Sequence, residues 1–407
     1  MPRVLLLLPT ETYRAADFLQ AARQLGIDVT AGSDRRNPSA RDADGGVLQI
    51  PLDRPELAAD AIVEYASETP VDAIVAVDEQ VVLTAALASD RLRLPHNAPS
   101  AVIATRDKSN MRRRLAHSHV PQPPFALVHS VHEAQAAAEQ LNFPVVLKPI
   151  SLSASQGVIR INKADGIPAC VERVRRILSK RGRSPDEPLL LEKFIPGKEV
   201  AVEGLVRNGV LTILAIFDKP DPLNGPFFEE TLYVTPSRLP PSSQGTIVSV
   251  TSDASTALGL TEGPIHAELR IRGTEVWILE IASRSIGGLC ARSLRFGLGI
   301  SLEQLILRQA LRLPIHETRR TDAASGVMMI PIPSSGRLMS VDGIEQARRV
   351  KGVAGVEITA SPGRDLVPLP EGNQYLGFLF ARGHKPADVE SALRQAHAKV
   401  IFDIKED

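Results

Sequence analysis

Residues 266–288 read HAELRIRGTEVWILEIASRSIGG and gather side chains suited to phosphate chemistry. Glu268 and Glu280 offer carboxylate oxygens, the donors that a hard divalent cation takes. Arg284 presents a planar guanidinium that can meet a phosphate through two hydrogen bonds. Gly287-Gly288 permits close backbone approach, because no Cβ intervenes. The competing reading is a solvated hairpin face with scattered charges, on which paired glutamates are common.

For the first reading the two carboxylates must converge. Residues 264–271 and 274–281 read as strands joined at Arg272-Gly273, a hairpin signal. Side chains alternate along a strand. His266, Glu268 and Arg270 therefore share a face of the first strand, and Val276, Ile278 and Glu280 share a face of the second. A strict two-residue turn would put Glu268 and Glu280 on opposite faces. A three-residue loop with a bulge would bring both to one face.

The remaining elements fall into an order. Apolar runs at 4–8, 27–31, 47–50 and 71–77 alternate with helical patterns at 13–25, 55–67 and 80–88, which predicts a parallel α/β lobe of Rossmann-like kind. No GxGxxG follows the first run, so a dinucleotide site is not indicated. Thr10, Glu11, Thr12 and Tyr13 stand where the first strand meets its helix, either as a ligand edge or as an ordinary helix start. Residues 94–100 read as a linker. Asp107 caps the next helix, which carries Lys108 and the run Arg112–Arg114, read as a solvated face. Lys148 closes the apolar strand 144–149, and a lysine there must reach solvent or an anion. A small-residue loop follows with Ser153, Ser155 and Gly157, of the kind that can lay N–H groups over phosphates. Residues 189–197 read as a strand running into a turn, and a hairpin over Asn208-Gly209 carries Glu199 and Glu203 on one face. From Gly326 short strands and one helix suggest a separate small α+β lobe.

The chain has 407 residues, which favours two to four domains, and 43% are hydrophobic, enough for real cores. Lys+Arg and Asp+Glu both number 47, so the basic excess expected for nucleic-acid or membrane partners is missing. Cys170 and Cys290 form no disulfide framework and no zinc spacing, which suggests a reducing cytoplasm. The first apolar run stops at Pro9, too short for a signal peptide or a span.

The ordered set of Lys108, Lys148, the Ser/Gly loop, the Glu192–Ile195 exit and the Glu268/Glu280/Arg284 stretch resembles the ATP-grasp superfamily over nearly the whole chain. Within it, the sequence is most similar to carboxylate–amine ligases that join L-amino acids into dipeptides. The resemblance implies an α/β and α+β multidomain protein with the ATP-grasp fold. Its parts would be a Rossmann-like domain at 1–98, a small lid subdomain at 99–195, a large subdomain with the metal site at 196–315, and a C-terminal α+β lobe at 316–407. It implies ATP and Mg2+, with Mn2+ as a substitute, and small amino-acid substrates. A homodimer is the commonest assembly for such a chain.

By the same resemblance Lys108 and Lys148 would hold phosphates, and Ser153, Ser155 and Gly157 would close over them. Glu192, Lys193, Phe194 and Ile195 would meet the adenine, and Glu199 the ribose. Glu268 and Glu280 would hold the metal. Arg284 would stabilise the transferred phosphoryl group. Glu230 would face the substrate amine, and Tyr233, Ser283, Gly287 and Gly288 would lie near the substrate. Two positions depart from the family pattern. The usual E-x-N-x-R reads Glu280-Ile281-Ala282-Ser283-Arg284, so one oxygen ligand is missing, with Ser283 or water as substitutes. The usual histidine of FxET-x-H-xxP is Tyr233. Asp218, Glu229 and Glu230 would select a basic partner, whereas Phe227 and Phe228 would line an apolar pocket. A carboxylase or purine-type ligase, and an ATP-binding protein without turnover, are the alternatives.

Overall fold

The computed structural model describes residues 1–9, 12–34, 43–321 and 323–406. Thr10 and Glu11, two of the four residues expected at the first strand–helix junction, lie outside them. The N-terminal lobe is a parallel sheet in the order Val47–Gln49, Asp28–Ser33, Arg3–Leu7, Ala73–Ala76. Its central strand is buried on both faces, as its unbroken apolar run requires. The first helix runs Ala15–Leu25 and ends at Gly26, whose φ of 64° directs its N–H to the Ala22 and Arg23 carbonyls.

The stretch expected to be a linker passes at its last two residues into a helix, Pro99–Arg106. Pro99 stands in its first turn, where a missing N–H leaves no intrahelical bond unmade. Asp107 ends this helix and caps the next, Lys108–His117, by accepting from the Ser109 and Asn110 N–H groups.

Two antiparallel sheets frame the site. The smaller is ordered Phe125–Val128, Leu189–Lys193, Val145–Pro149, Ile159–Ile161, and the helices Val131–Leu141 and Ile167–Lys180 pack on it. The larger has eight strands in the order Glu275–Ala282, Glu262–Arg272, Lys198–Arg207, Val210–Lys219, Leu232–Thr235, Ala324–Ile330, Gly377–Gly383, Val353–Ile358. Its last three strands belong to the C-terminal region, which therefore continues this sheet instead of standing apart. Only the small sheet of Asp365–Leu366, Gly336–Asp342 and Ile401–Lys405 is separate. Leu294, Phe296 and Leu305 join the N-terminal lobe and the large sheet in one core. Among the described residues no helix is long and apolar enough to cross a membrane.

The metal-strand hairpin forms with a shifted turn. Arg272 pairs with Glu275, so the loop is Gly273-Thr274 and has two residues, not the expected Arg272-Gly273. The bulge that brings the carboxylates together lies farther along, between Glu268 and Leu269 in register, and beyond it Glu268 stands directly opposite Glu280.

Candidate active site

Several strands of the large sheet bring polar side chains to one cleft, of about 370 Å³. Glu280, Glu268 and Glu199 line it from three adjacent strands. Arg284 and Gly287-Gly288 follow from the end of the metal strand, and Glu230 and Tyr233 from the far side. Lys148, Glu192, Lys193, Phe194 and Ile195 come from the small sheet, Ser153 and Ser155 from its loop, and Lys108 from a helix start.

The charges are set by cross-strand pairing. Glu199 stands opposite Arg270 on one neighbouring strand and Lys219 on the other. Its oxygens meet Arg270 Nε at 2.7 Å and Lys219 Nζ at 2.8 Å. Lys219 Nζ also contacts Glu230, and lies 3.3 Å from Glu268. Burial opposes its charge, but these three carboxylates outweigh burial and raise its pKa well above the usual lysine value. Glu199, Glu230 and Glu268 offer oxygens all within 4.8 Å of one another, the one such acidic group among the described residues that could hold a metal ion.

Burial and the charge of Glu268 push Glu230 up to about 7. Glu268 is held well below the usual carboxylate range, since Lys219 and His266 outweigh its own burial. His266 stands opposite Glu203, with Nδ1 2.9 Å from its carboxylate. Burial disfavours the imidazolium, yet Glu203 and Glu268 lift its pKa to about 9. Glu203 is fully buried; the same oxygen accepts from the Ile286 N–H at 2.5 Å and so fixes the turn before Gly287-Gly288. Tyr233 Oη donates to Glu230 at 2.7 Å.

Glu268 and Glu280 keep 26% and 33% of their side chains open to the cleft, which leaves oxygens free to ligate. Glu280 lies 3.4 Å from Lys108 Nζ, which also donates to the Leu152 carbonyl at 2.7 Å. Two register-paired carboxylates facing a cleft rich in cations fit a divalent ion that carries phosphates. Ala282 lines the cleft and offers no side-chain oxygen there. Ser283 does not substitute for it, because its hydroxyl lies against Thr105 Oγ1 at 3.1 Å, outside the cleft.

Three further placements differ from expectation. The Glu192 carboxylate is 2% exposed and bridges Arg112 Nε and Lys148 Nζ, each at 2.5 Å, so it positions Lys148, while the residue lines the cleft. Burial opposes the Glu192 charge, but Arg112 and Lys148 outweigh it and hold the carboxyl below its usual range. Gly157 lies outside the cleft lining, and its N–H donates to the Pro370 carbonyl at 2.9 Å. The Glu199 carboxylate is taken by Lys219 and Arg270.

Several residues at the site were not expected to act there. Arg112, read as part of a solvated face, is 1% exposed and also donates to the Leu279 carbonyl, beside Glu280. Lys219 closes the apolar strand Val210–Lys219 as Lys148 closes its own, and the same reasoning would have found it. Glu79 reaches in from the N-terminal lobe and accepts from Arg284 Nε at 2.9 Å. Burial disfavours the Arg284 charge, but Glu79 and Glu280 outweigh it and raise the pKa. Thr12 and Tyr13 line the cleft, which supports the ligand-edge reading for those two.

Comparison with known proteins bears on the same parts. The model described as ATP-grasp domain matches residues 141–293, that described as ATP-grasp N-terminal domain matches 19–96, and that described as L-amino acid ligase C-terminal domain 2 matches 328–405. Alanine–anticapsin ligase of Bacillus subtilis is 27% identical over 273 residues, which cover 63% of this chain and 57% of that protein. The chain thus spans a little over half the length of this curated relative. The crystal structure of L-amino acid ligase from Bacillus licheniformis superposes with a TM-score of 0.82 at 24% identity, covering 100% of this chain and 99% of that one. The biotin carboxylase domain of the Hydrogenobacter thermophilus 2-oxoglutarate carboxylase, solved with MgADP and bicarbonate, has a TM-score of 0.73 at 18% identity, covering 99% of this chain and 91% of that one.

Proposed function

We propose that the chain, which belongs to the ATP-grasp superfamily, is an ATP-dependent carboxylate–amine ligase that joins two L-amino acids and releases ADP and phosphate. One observation carries this reading. Glu268 and Glu280 are register partners facing one cleft, together with Lys108, Lys148 and Arg284. The L-amino acid ligase model over residues 328–405 supports it from the other end of the chain.

A carboxylate does not expel its oxygen when an amine attacks. Phosphorylation makes that oxygen a leaving group, and the amine then displaces phosphate from the acyl phosphate. The first step drives one anion onto another, so its barrier is largely electrostatic. Lys148 and Lys108 hold the phosphate tail, and Arg284 meets the phosphoryl group in transfer. Magnesium held by Glu268 and Glu280, or manganese in its place, would neutralise phosphate charge. Phe194 and Ile195 lie where their strand ends and line the cleft on the side of the base; the Phe194 N–H is itself bonded to the Pro144 carbonyl at 3.1 Å. Glu230 accepts a hydrogen bond from the substrate amine, with Lys219 and Tyr233 fixing its carboxylate. Residues 151–157 cover the acyl phosphate, which water would otherwise hydrolyse.

Incubation with ATP, Mg2+ and a mixture of amino acids tests the reading: phosphate release and a dipeptide mass are expected together. ATP hydrolysis that needs bicarbonate and no amino acid would select the carboxylase alternative. Nucleotide binding with no turnover under any condition would select the non-catalytic one.

A further inference from the structure

Beyond the acidic residues the cleft opens into a chamber walled by three distant parts of the chain. Tyr13 enters from the N-terminal lobe, Ile286 and Cys290 from the segment after Arg284, and Met329, Tyr375 and Phe378 from the C-terminal region. Phe378 is its centre: Tyr13 and Tyr375 both lie edge-on to it, with ring centroids 6.1 Å away. Its ring packs so closely on Gly288 that a Cβ there would stand 2.8 Å from it. Glu230 lines the same cleft, and burial together with its charge pushes the Tyr375 hydroxyl well above its ordinary pKa. Burial also keeps the Cys290 thiol protonated, so that wall is uncharged as well.

Of the three acids that would favour a basic partner, two are turned elsewhere, and the third, Glu230, is held by Lys219 and Tyr233. Asp218 accepts from Ser237 Oγ at 2.6 Å and from the Arg238 N–H at 2.9 Å, and neither it nor Glu229 lines the cleft. Phe228 does line it, against Phe194. A charged side chain packed among Tyr13, Met329 and Phe378 would lose its water against side chains that offer it no opposite charge. An apolar one would gain burial, and contacts of methylene size in such pockets discriminate by ~10–200-fold.

We propose that one of the two amino acids joined carries an uncharged apolar side chain, of leucine, methionine or phenylalanine type, seated among Tyr13, Met329, Tyr375 and Phe378. This inference rests on the ligase reading and names its substrate class. The test uses the full chain with ATP and Mg2+, and amino acids supplied in pairs. Initial phosphate release gives kcat/KM, and mass spectrometry identifies products. Pairs containing Leu, Met or Phe should exceed pairs drawn only from Asp, Glu, Lys and Arg by at least ~10-fold. Tyr13 is 38% exposed, so Tyr13→Ala leaves the core intact. That variant should raise KM for the apolar amino acid at least ~5-fold with KM for ATP unchanged. Charged pairs that react as fast, or a Tyr13→Ala enzyme with every KM unchanged, would overturn the substrate class and leave the ligase reading standing. Silence with every pair, beside intact ATP binding, would overturn the ligase reading and the inference with it.

Discussion

Two buried ion-pair clusters line the cleft, and their charge balance is opposite. On the lid side one carboxylate, Glu192, stands between two cations, Lys148 and Arg112. On the sheet side three cations, Lys219, Arg270 and His266, stand among four carboxylates, Glu199, Glu203, Glu230 and Glu268. The first keeps a positive surplus and suits an anionic tail. The second keeps a negative surplus and suits a metal ion or an ammonium group. Burial matters here, because surface charges would be screened and their surplus would select little.

The largest effect should come from removing the negative surplus at the proposed metal. Glu280→Gln keeps shape and loses charge. Phosphate release should fall ~10²–10³-fold or more, the scale at which single preorganised electrostatic groups act. The circular dichroism spectrum should stay native, since a third of that side chain is solvent-facing. Wild-type turnover in Glu280→Gln would break the comparison on the sheet side.

Next in size is stability. Glu192→Gln would leave Lys148 and Arg112 buried without their anion, and such orphaned charges cost ~3–5 kcal/mol. A lower urea midpoint should report it. Lys219→Met is the mirror experiment, and there Mg2+ should restore part of the loss, because the surplus left behind is negative. Glu192→Gln should gain nothing from Mg2+. Equal rescue of both would show that the two clusters do not differ in sign. The lid side also has a pH signature. The folded pKa of Glu192 lies below its unfolded value near 4.5, so its contribution is complete above that value. It is lost as pH falls through the lower, folded pKa. The acid limb of stability should therefore flatten in Glu192→Gln; an unchanged acid limb would argue against the pairing.

How legible each side was follows from how local its signals are. Lys148 ends an apolar strand, so the sequence itself asks for an anion near it. Glu268 and Glu280 lie on one hairpin, and a bulge in that hairpin suffices to pair them. Arg112 was misread because an Arg run on a polar helix looks solvated. Arg113 and Arg114 do bond within their own helix, to Ser109 and Asn110, while Arg112 alone turns inward. Glu79 was invisible, since nothing within its own lobe announces a bond to Arg284, some two hundred residues on. The shared sheet was missed for the same reason: Thr235 to Ser325 is a pairing between strands that two α-helices and a hairpin separate.

The smallest effect concerns what holds the lid. Arg173 clasps Glu371 through two bonds, at 2.7 and 2.9 Å, and Gln156 donates to the Glu371 carbonyl at 2.5 Å. The loop over the cleft is thereby tied to the C-terminal region. Unlike the clusters beneath it, this pair keeps 37% and 31% of its side chains exposed, so solvent screens it. Glu371→Gln should change stability by less than ~1 kcal/mol. It should nonetheless loosen the loop, raising KM for ATP by less than ~5-fold and speeding proteolysis near residue 155, and 0.5 M KCl should mimic it through a Debye length of only a few ångströms, ~4 Å. A loss as large as that of Glu192→Gln would make the latch as fixed as the buried pairs. A lid that must open for substrates and close over an acyl phosphate could not then be held by it.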